Sequence, residues 1–244
     1  MSQKTEFKID YSRASLEENA LPAIIVAAGS FMRMGGIHKQ LAPLCGIPVV
    51  VRSLMAYENS PYISGIVLVV RQEDILEMQR LCDLYSITKI KDIVKGGSDR
   101  HQSVMNGINC LDSTESAVLI HDGARPLVTS EIIEDAVKGL MTSDAIVSAV
   151  KVNDTVKLST NGETVDKTVD RSGLYFAQTP QGVNISKYKE ACERFGDVDF
   201  TDDASVMEQA GYSVKITLGD SKNIKITTPA DIKIAEMYIK GEEE

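Results

Sequence analysis

Short runs rich in β-branched residues alternate with amphipathic stretches along most of this 244-residue chain, and that alternation limits the possible folds more than any other feature. Ala23-Ile24-Ile25-Val26, Ile66-Val67-Leu68-Val69-Val70, Ile90 to Val94 and Ala117-Val118-Leu119-Ile120 read as buried strands, because branched aliphatic side chains favour a pleated surface covered on both faces. Between and after them, Pro48 to Tyr57, Glu73 to Leu84, Gln102 to Cys110 and Ser130 to Met141 carry apolar residues at helical spacing. In the second, Ile75, Met78, Leu81 and Leu84 read as one buried face. Strands linked through helices make right-handed crossovers, so the expectation is an α/β fold with a mainly parallel sheet. Its ligand crevice lies where loops leave the carboxyl ends of the strands, here after Val26, Val94 and Ile120.

The first of these loops, residues 27–40, carries the most chemistry. Ala27, Ala28 and Gly29 are small enough for a ligand to approach the backbone, whose N–H groups can donate to phosphate oxygens. Arg33 and Lys39 add two permanent cations, which suit a triphosphate gathering negative charge as it is cleaved. The loop lacks the Gly-Lys-Ser/Thr of a P-loop, and Phe31 stands where a dinucleotide fingerprint needs its second glycine.

Composition narrows the partners. With 26 basic against 35 acidic residues, the formal charge of -9 gives no general attraction to nucleic acid or anionic membranes, so a phosphate ligand must be held by a local cluster of cations. No apolar run reaches the roughly 20 residues that span a bilayer. The four cysteines, Cys45, Cys82, Cys110 and Cys192, are widely spaced, and the expectation is reduced thiols in a cytoplasmic protein. Residues 1–20 read as a polar extension, 21–240 as one domain, and 241–244 as a disordered tail.

After Met141 the alternation gives way. Asp154 to Leu158 and Thr164 to Val169 flank Thr160-Asn161-Gly162, a hairpin signal, so residues 151–172 form a β-arm. An isolated two-stranded ribbon is marginal in water, so the arm packs either on a second copy in a homodimer or back on its own domain. Gln178-Thr179-Pro180-Gln181 reads as a turn. The acids of Thr201-Asp202-Asp203-Ala204-Ser205 suit a metal or a helix amino terminus equally. Ser213 to Leu218 and Asn223 to Thr227 read as extended pieces, and Pro229 to Ile239 as a closing helix.

AAGSFMRMGG with KQ, GGSDRHQSV, HDGARPLV, VNDTVK, TVDRSGLYFAQTPQ, TDDAS and NIKITTP occur in that order between about Leu21 and Ile239. Together they resemble the 2-C-methyl-D-erythritol 4-phosphate cytidylyltransferase family. The resemblance implies a Rossmann-like three-layer nucleotidyltransferase domain with a protruding hairpin dimerisation arm, CTP as co-substrate, Mg²⁺, a polyol phosphate acceptor and pyrophosphate release. By the same resemblance, Arg33 and Lys39 stabilise the triphosphate, while Arg171 and Lys225 position the acceptor's phosphate. Ala27, Ala28 and Gly29 line the nucleotide, Gly97, Ser98 and Ser103 approach cytosine or ribose, and Asp122 and Gly123 lie beside them. Asp122 would orient the metal or the ribose. Thr155 and Arg171 would enter the partner's site if the arms interlock.

The residues taken alone allow blander roles: Arg125 in a structural ion pair, His101 and His121 as hydrogen-bonded fold elements, Arg171 as a solvated surface group, Lys225 at a helix end. Three positions depart from the family pattern. Phe31 replaces the second glycine of a loop one residue short, His38 stands where proline precedes the lysine, and Ser98 where some members have aspartate. A ribitol 5-phosphate cytidylyltransferase and a non-catalytic nucleotide-binding relative are the competing expectations.

Overall fold

The computed structural model describes residues 18–29, 38–196, 198 and 200–241. Its centre is a seven-stranded sheet built from β1 (Leu21–Val26), β4 (Ile63–Val70), β5 (Ile90–Lys95), β6 (Ala117–Asp122), β7 (Ala145–Lys151), β10 (Tyr175–Asn184) and β11 (Val214–Leu218). Across the sheet the order is β11-β7-β10-β6-β1-β4-β5. β1 pairs in parallel with β4 and β6, β4 with β5, and β7 with β11; β10 runs against both its neighbours. The expected mainly parallel sheet is therefore present, with one reversed strand.

Pleating divides the core into two layers. Along β1, Ala23 and Ile25 face one side and Ile24 the other; along β4, Ile66 and Leu68 oppose Val67 and Val69. The first side is covered by α1 (Val49–Glu58), α2 (Ile75–Leu84) and α4 (Ser130–Leu140), through residues such as Leu54, Met78 and Ile133. The second carries α3 (Arg100–Ile108), α5 (Ile185–Phe195) and α6 (Asp203–Gln209), through Val104, Tyr188 and Met207. Close approach explains Gly107 in the last turn of α3: a Cβ there would lie 2.8 Å from Ile24 Cγ2. A third, smaller cluster joins Leu44 of β2 (Pro43–Leu44) and Val49 to Ile226 and to Ala235 of α7 (Pro229–Lys240). The short β3 (Ile47–Pro48) pairs with β2.

Four expectations need correction. Leu84 is 63% exposed although Met78 and Leu81 are buried. Three-residue steps at about 100° per residue turn by half a revolution between Ile75 and Leu84, so the stripe leaves the core. Gln178 to Gln181 is no turn but lies inside β10, where the register against β7 shifts between Ala177 and Gln181. Pro180 cannot donate to a ladder, and the irregularity accommodates it. β7 itself lies in a stretch that the sequence reading passes over, because Ala145, Ser148 and Ala149 dilute its aliphatic signal. Asn223 to Thr227 forms no strand; it is tied down by single bonds, among them Ile226 N–H to the Ala124 carbonyl at 2.8 Å.

The hairpin forms from β8 (Val156–Leu158) and β9 (Lys167–Val169), paired antiparallel. Asn161 Oδ1 accepts from the N–H groups of Glu163 and Thr164, and Gly162 adopts φ +74, so Asn-Gly does make a turn, within a longer connection. No residue from 153 to 177 is buried. The arm thus gains nothing from folding back on its own chain, and that alternative falls. Residues 1–17 and 242–244, with the expectations placed on them, lie outside the described residues.

Candidate active site

Because β1, β4, β5 and β6 run in parallel, their carboxyl ends deliver four loops to one edge of the sheet. They enclose a crevice of about 550 Å³ lined by Ala28 and Gly29, Lys39, Arg71, Gly97 to Arg100, Ser103, Asp122 and Lys225, among others. A second hollow of about 280 Å³, lined by Arg125, Thr179, Gln181, Thr201 and Asp202, shares Arg100, Asp122 and Lys225 with it. Those three residues form the wall between two adjoining spaces.

Each side of the crevice is built from local rules. Asp99 caps α3 by accepting from Gln102 N–H at 2.7 Å. Ser103 Oγ accepts from Gly97 N–H at 3.0 Å and donates to the Asp99 carbonyl at 2.7 Å, and Ser98 N–H donates to Gln102 Oε1 at 2.8 Å. The Gly97 and Ser98 amides are therefore engaged within the loop itself. It also presses on the first loop: a Cβ on Gly96 would sit 2.5 Å from Ala28 Cβ, so only glycine allows the two to meet. Lys39 Nζ lies 3.6 Å from the position a Cβ on Gly29 would take, which sets the ammonium beside Gly29.

The dividing wall is ionic. Asp122, 7% exposed, lies 2.7 Å from Lys225 Nζ, with Arg100 Nε at 3.7 Å and Arg125 Nε at 3.8 Å. Burial alone would raise its pKa; Lys225, Arg100 and Arg125 outweigh that and hold it well below the usual carboxylate range. Arg100 also pairs with buried Asp203 at 2.6 Å, and Tyr188 Oη donates to the same carboxylate at 2.9 Å. The Lys225 segment is docked by Arg125 Nη1, which donates to the Asn223 carbonyl at 2.7 Å, and by Asn223 Nδ2, which donates to the Thr179 carbonyl at 2.9 Å.

Beneath the wall, fully buried His121 has Nε2 3.1 Å from the Arg125 carbonyl and Nδ1 3.0 Å from Thr179 Oγ1. A carbonyl only accepts, so Nε2 carries the proton and Nδ1 accepts from Thr179. Thr179 Oγ1 in turn accepts from Asp122 N–H at 3.1 Å. Burial pushes the imidazole pKa down to about 4, so it is neutral near pH 7 and acts as a fold element.

Of the residues expected at the site, Ala28, Gly29, Lys39, Gly97, Ser98, Ser103, Asp122 and Lys225 line one crevice. Ala27 and Gly123 lie just behind it: their N–H groups donate to the Val69 and Val26 carbonyls, at 2.7 and 2.9 Å, and are not available to phosphate. Thr155 and Arg171 sit on the exposed arm, where the Arg171 guanidinium donates to the Asn153 carbonyl. Arg33 and Phe31 lie outside the described residues. A metal held by Asp122 does not fit: three cations surround that carboxylate, and among the described residues no group of three His, Cys, Asp or Glu gathers for an ion. Asp202 caps α6 and Asp203 pairs with Arg100, so the acids of that motif serve the fold.

Sequence reasoning passed over Arg71 and Arg100. Both follow the carboxyl end of a predicted strand, Arg71 directly and Arg100 across the glycine loop, and that placement was the signal available. Thr179 and Gln181 escaped because their motif read as a turn; in fact Gln181 ties β10 to α6, donating to Asp202 Oδ2 at 2.8 Å and accepting from Ala204 N–H at 2.9 Å.

An open, mainly parallel sheet with Gly29 and fixed cations at its carboxyl edge, next to a second hollow across a cationic wall, suits a nucleotidyltransferase, and the relatives place the chain in that class. The sequence profile of 2-C-methyl-D-erythritol 4-phosphate cytidylyltransferase matches residues 21–241, and the chain belongs to that family. The protein of that name from Geobacter metallireducens is 39% identical over 91% of this chain and 98% of its own. That from Geobacillus thermodenitrificans is 41% identical over 89% and 96%. The crystal structure of 4-diphosphocytidyl-2C-methyl-D-erythritol synthase from Anaerococcus prevotii superposes with a TM-score of 0.82, at 30% identity, covering 94% of this chain and all of that one.

Proposed function

We propose that the protein transfers the cytidylyl group of CTP to 2-C-methyl-D-erythritol 4-phosphate, giving the cytidine diphosphate product and pyrophosphate in isoprenoid precursor synthesis. The larger crevice takes CTP, and the smaller hollow takes the acceptor. The observation that carries this reading is the shared wall of Asp122, Lys225 and Arg100, with the family membership beside it.

An oxygen of the acceptor's phosphate attacks the α-phosphorus in line; a P–O bond forms, and the bond from the α-phosphorus to the bridging oxygen breaks as pyrophosphate leaves. The attacking oxygen is already ionised, so no covalent nucleophile is required. What opposes the reaction is the mutual repulsion of two anions, and the chain answers with fixed cations. Lys225 meets the acceptor's phosphate, and Lys39, with Arg33, offsets charge on the departing pyrophosphate. Asp122 keeps Lys225 and Arg100 in place between the substrates. With the N–H groups of Gly96, Gly97 and Ser98 already engaged, their carbonyl oxygens suit a donor, and the exocyclic amine of cytosine is one.

Magnesium would accompany the nucleotide, held chiefly by the phosphates of CTP. Thr155 and Arg171 complete the acceptor hollow from the arm of a second copy, making the working unit a homodimer. Among the described residues no helix is long and apolar enough to cross a membrane.

Pyrophosphate release with CTP and each polyol phosphate tests the assignment. Turnover with the methylerythritol phosphate and not with ribitol 5-phosphate is expected. The reverse selectivity would overturn the acceptor assignment, and tight CTP binding without turnover on either would overturn the enzyme.

A further inference from the structure

Lys39 is useful only if its ammonium is held where the triphosphate breaks, and a lysine has a long, freely rotating stem. Two sets of contacts restrict its backbone. On the carboxyl side, the His38 carbonyl accepts from Leu41 and Ala42 N–H groups, both at 2.9 Å, and the Gln40 carbonyl accepts from Val50 N–H at 3.0 Å. The turn containing Lys39 is thereby joined to the first turn of α1. On the amino side, the His38 ring reaches the loop after β4: its Nε2 lies 2.9 Å from Asp74 Oδ1 and 3.0 Å from Arg71 Nη2.

That anchor is itself rigid. Arg71 grips Asp74 through two bonds, Nε to Oδ2 at 2.8 Å and Nη2 to Oδ1 at 2.9 Å, and its Nη1 meets Glu73 at 2.9 Å. Asp74 is buried, and Arg71 and His38 are partly so. Arg71 lines the crevice, yet two carboxylates already balance its charge, which makes it a weak phosphate ligand and a firm support for the ring.

We propose that His38 is a positioning residue for Lys39, docked on the Arg71–Asp74 pair so that the lysine backbone cannot swing away from Gly29. The inference rests on the role of Lys39 in the proposed function. Displacing a catalytic group by about 1 Å can cost roughly a hundredfold in rate, so loss of one of two anchors is expected to cost roughly tenfold in kcat. CTP binding, spread over the whole crevice, changes little.

The test uses the full-length protein with CTP and 2-C-methyl-D-erythritol 4-phosphate, following pyrophosphate release, with thermal melting as the control for folding. His38→Ala and Asp74→Leu, the latter removing both acceptor oxygens at similar volume, are each expected to lower kcat roughly tenfold while KM for CTP stays within about twofold. Combined, they lose no more than the worse single variant, because each removes the same contact. His38→Gln, whose side-chain amide can still donate to Asp74, recovers most of the rate. Losses that multiply in the double variant, or a His38→Ala enzyme within about twofold of wild type while Lys39→Ala is crippled, would overturn the anchor and leave the lysine's role standing. Full activity in Lys39→Ala would overturn that role, and the anchor with it. Should His38→Ala melt early, Asp74→Leu, which leaves no acceptor for the ring, carries the test: wild-type kcat there overturns the proposal.

Discussion

The crevice wall and the β-arm treat their charges in opposite ways. In the wall, Lys225, Arg100 and Arg125 surround one buried carboxylate, and a neutral histidine and a threonine hold that carboxylate's backbone from below. On the arm, Arg171 and Thr155 are exposed, and Arg171 leans on a carbonyl of its own loop. A cation locked against buried acids is pre-organised for a substrate of fixed shape. One on an exposed ribbon becomes so only when something packs around it. On the function proposed above, the acceptor's binding groups would divide accordingly, Lys225 being set within the single chain and Arg171 and Thr155 depending on what packs around the arm.

Substitutions on the two sides test this contrast. Lys39→Ala has the largest expected effect, a loss of about a thousandfold in kcat, since it removes charge stabilisation in the transition state. Loss confined to KM for CTP would move the lysine to ground-state binding. Next come Lys225→Ala and Arg171→Ala, each lowering kcat/KM for the acceptor by roughly a hundredfold and leaving CTP affinity nearly unchanged. If only Lys225 matters, the arm is no part of the site.

Mixing Lys39→Ala with Arg171→Ala subunits decides where the arm acts. Random exchange makes half of the dimers mixed, each with one intact site, so about one quarter of wild-type activity returns if sites are shared. No recovery after confirmed exchange would place each site within one chain. A monomer in sedimentation would remove the dimer altogether.

The smallest effect is on stability. His121 has a folded pKa of about 4, below its ordinary value of 6.5, so the unfolded chain binds a proton that the folded chain refuses. Its contribution is complete above about pH 6.5 and is lost as pH falls toward 4, on the order of 3 kcal/mol. The melting temperature should fall over that window in wild type and more gently in His121→Gln. Equal slopes would show the imidazole to be more readily protonated than its burial implies.

Much of this was legible in the residues. The aliphatic runs at Ala23–Val26 and Ile66–Val70 announced buried parallel strands, and the loops after Val26, Val94 and Ile120 do meet in one crevice. Lys39, Ser103 and Asp122 were picked from motifs in those loops and lie there. Arg100 was not, since nothing local distinguishes it from a solvated helix cation; only α5 and α6, arriving from about a hundred residues further along, put Asp203 and Tyr188 against it. Leu84 was misread because a three-residue step imitates a helical face for two turns before drifting off it.

By itself, then, the sequence determined the layered α/β plan, because strand and helix periods are local and each strand's alternating side chains must feed two covers. It also specified which loops carry small residues and cations. Only the tertiary structure decided which charges neutralise one another. Asp122, a possible metal ligand in one dimension, is enclosed by three cations in space. The reason is that burial and Coulomb energy depend on distances between groups far apart in the chain, and folding alone sets those distances.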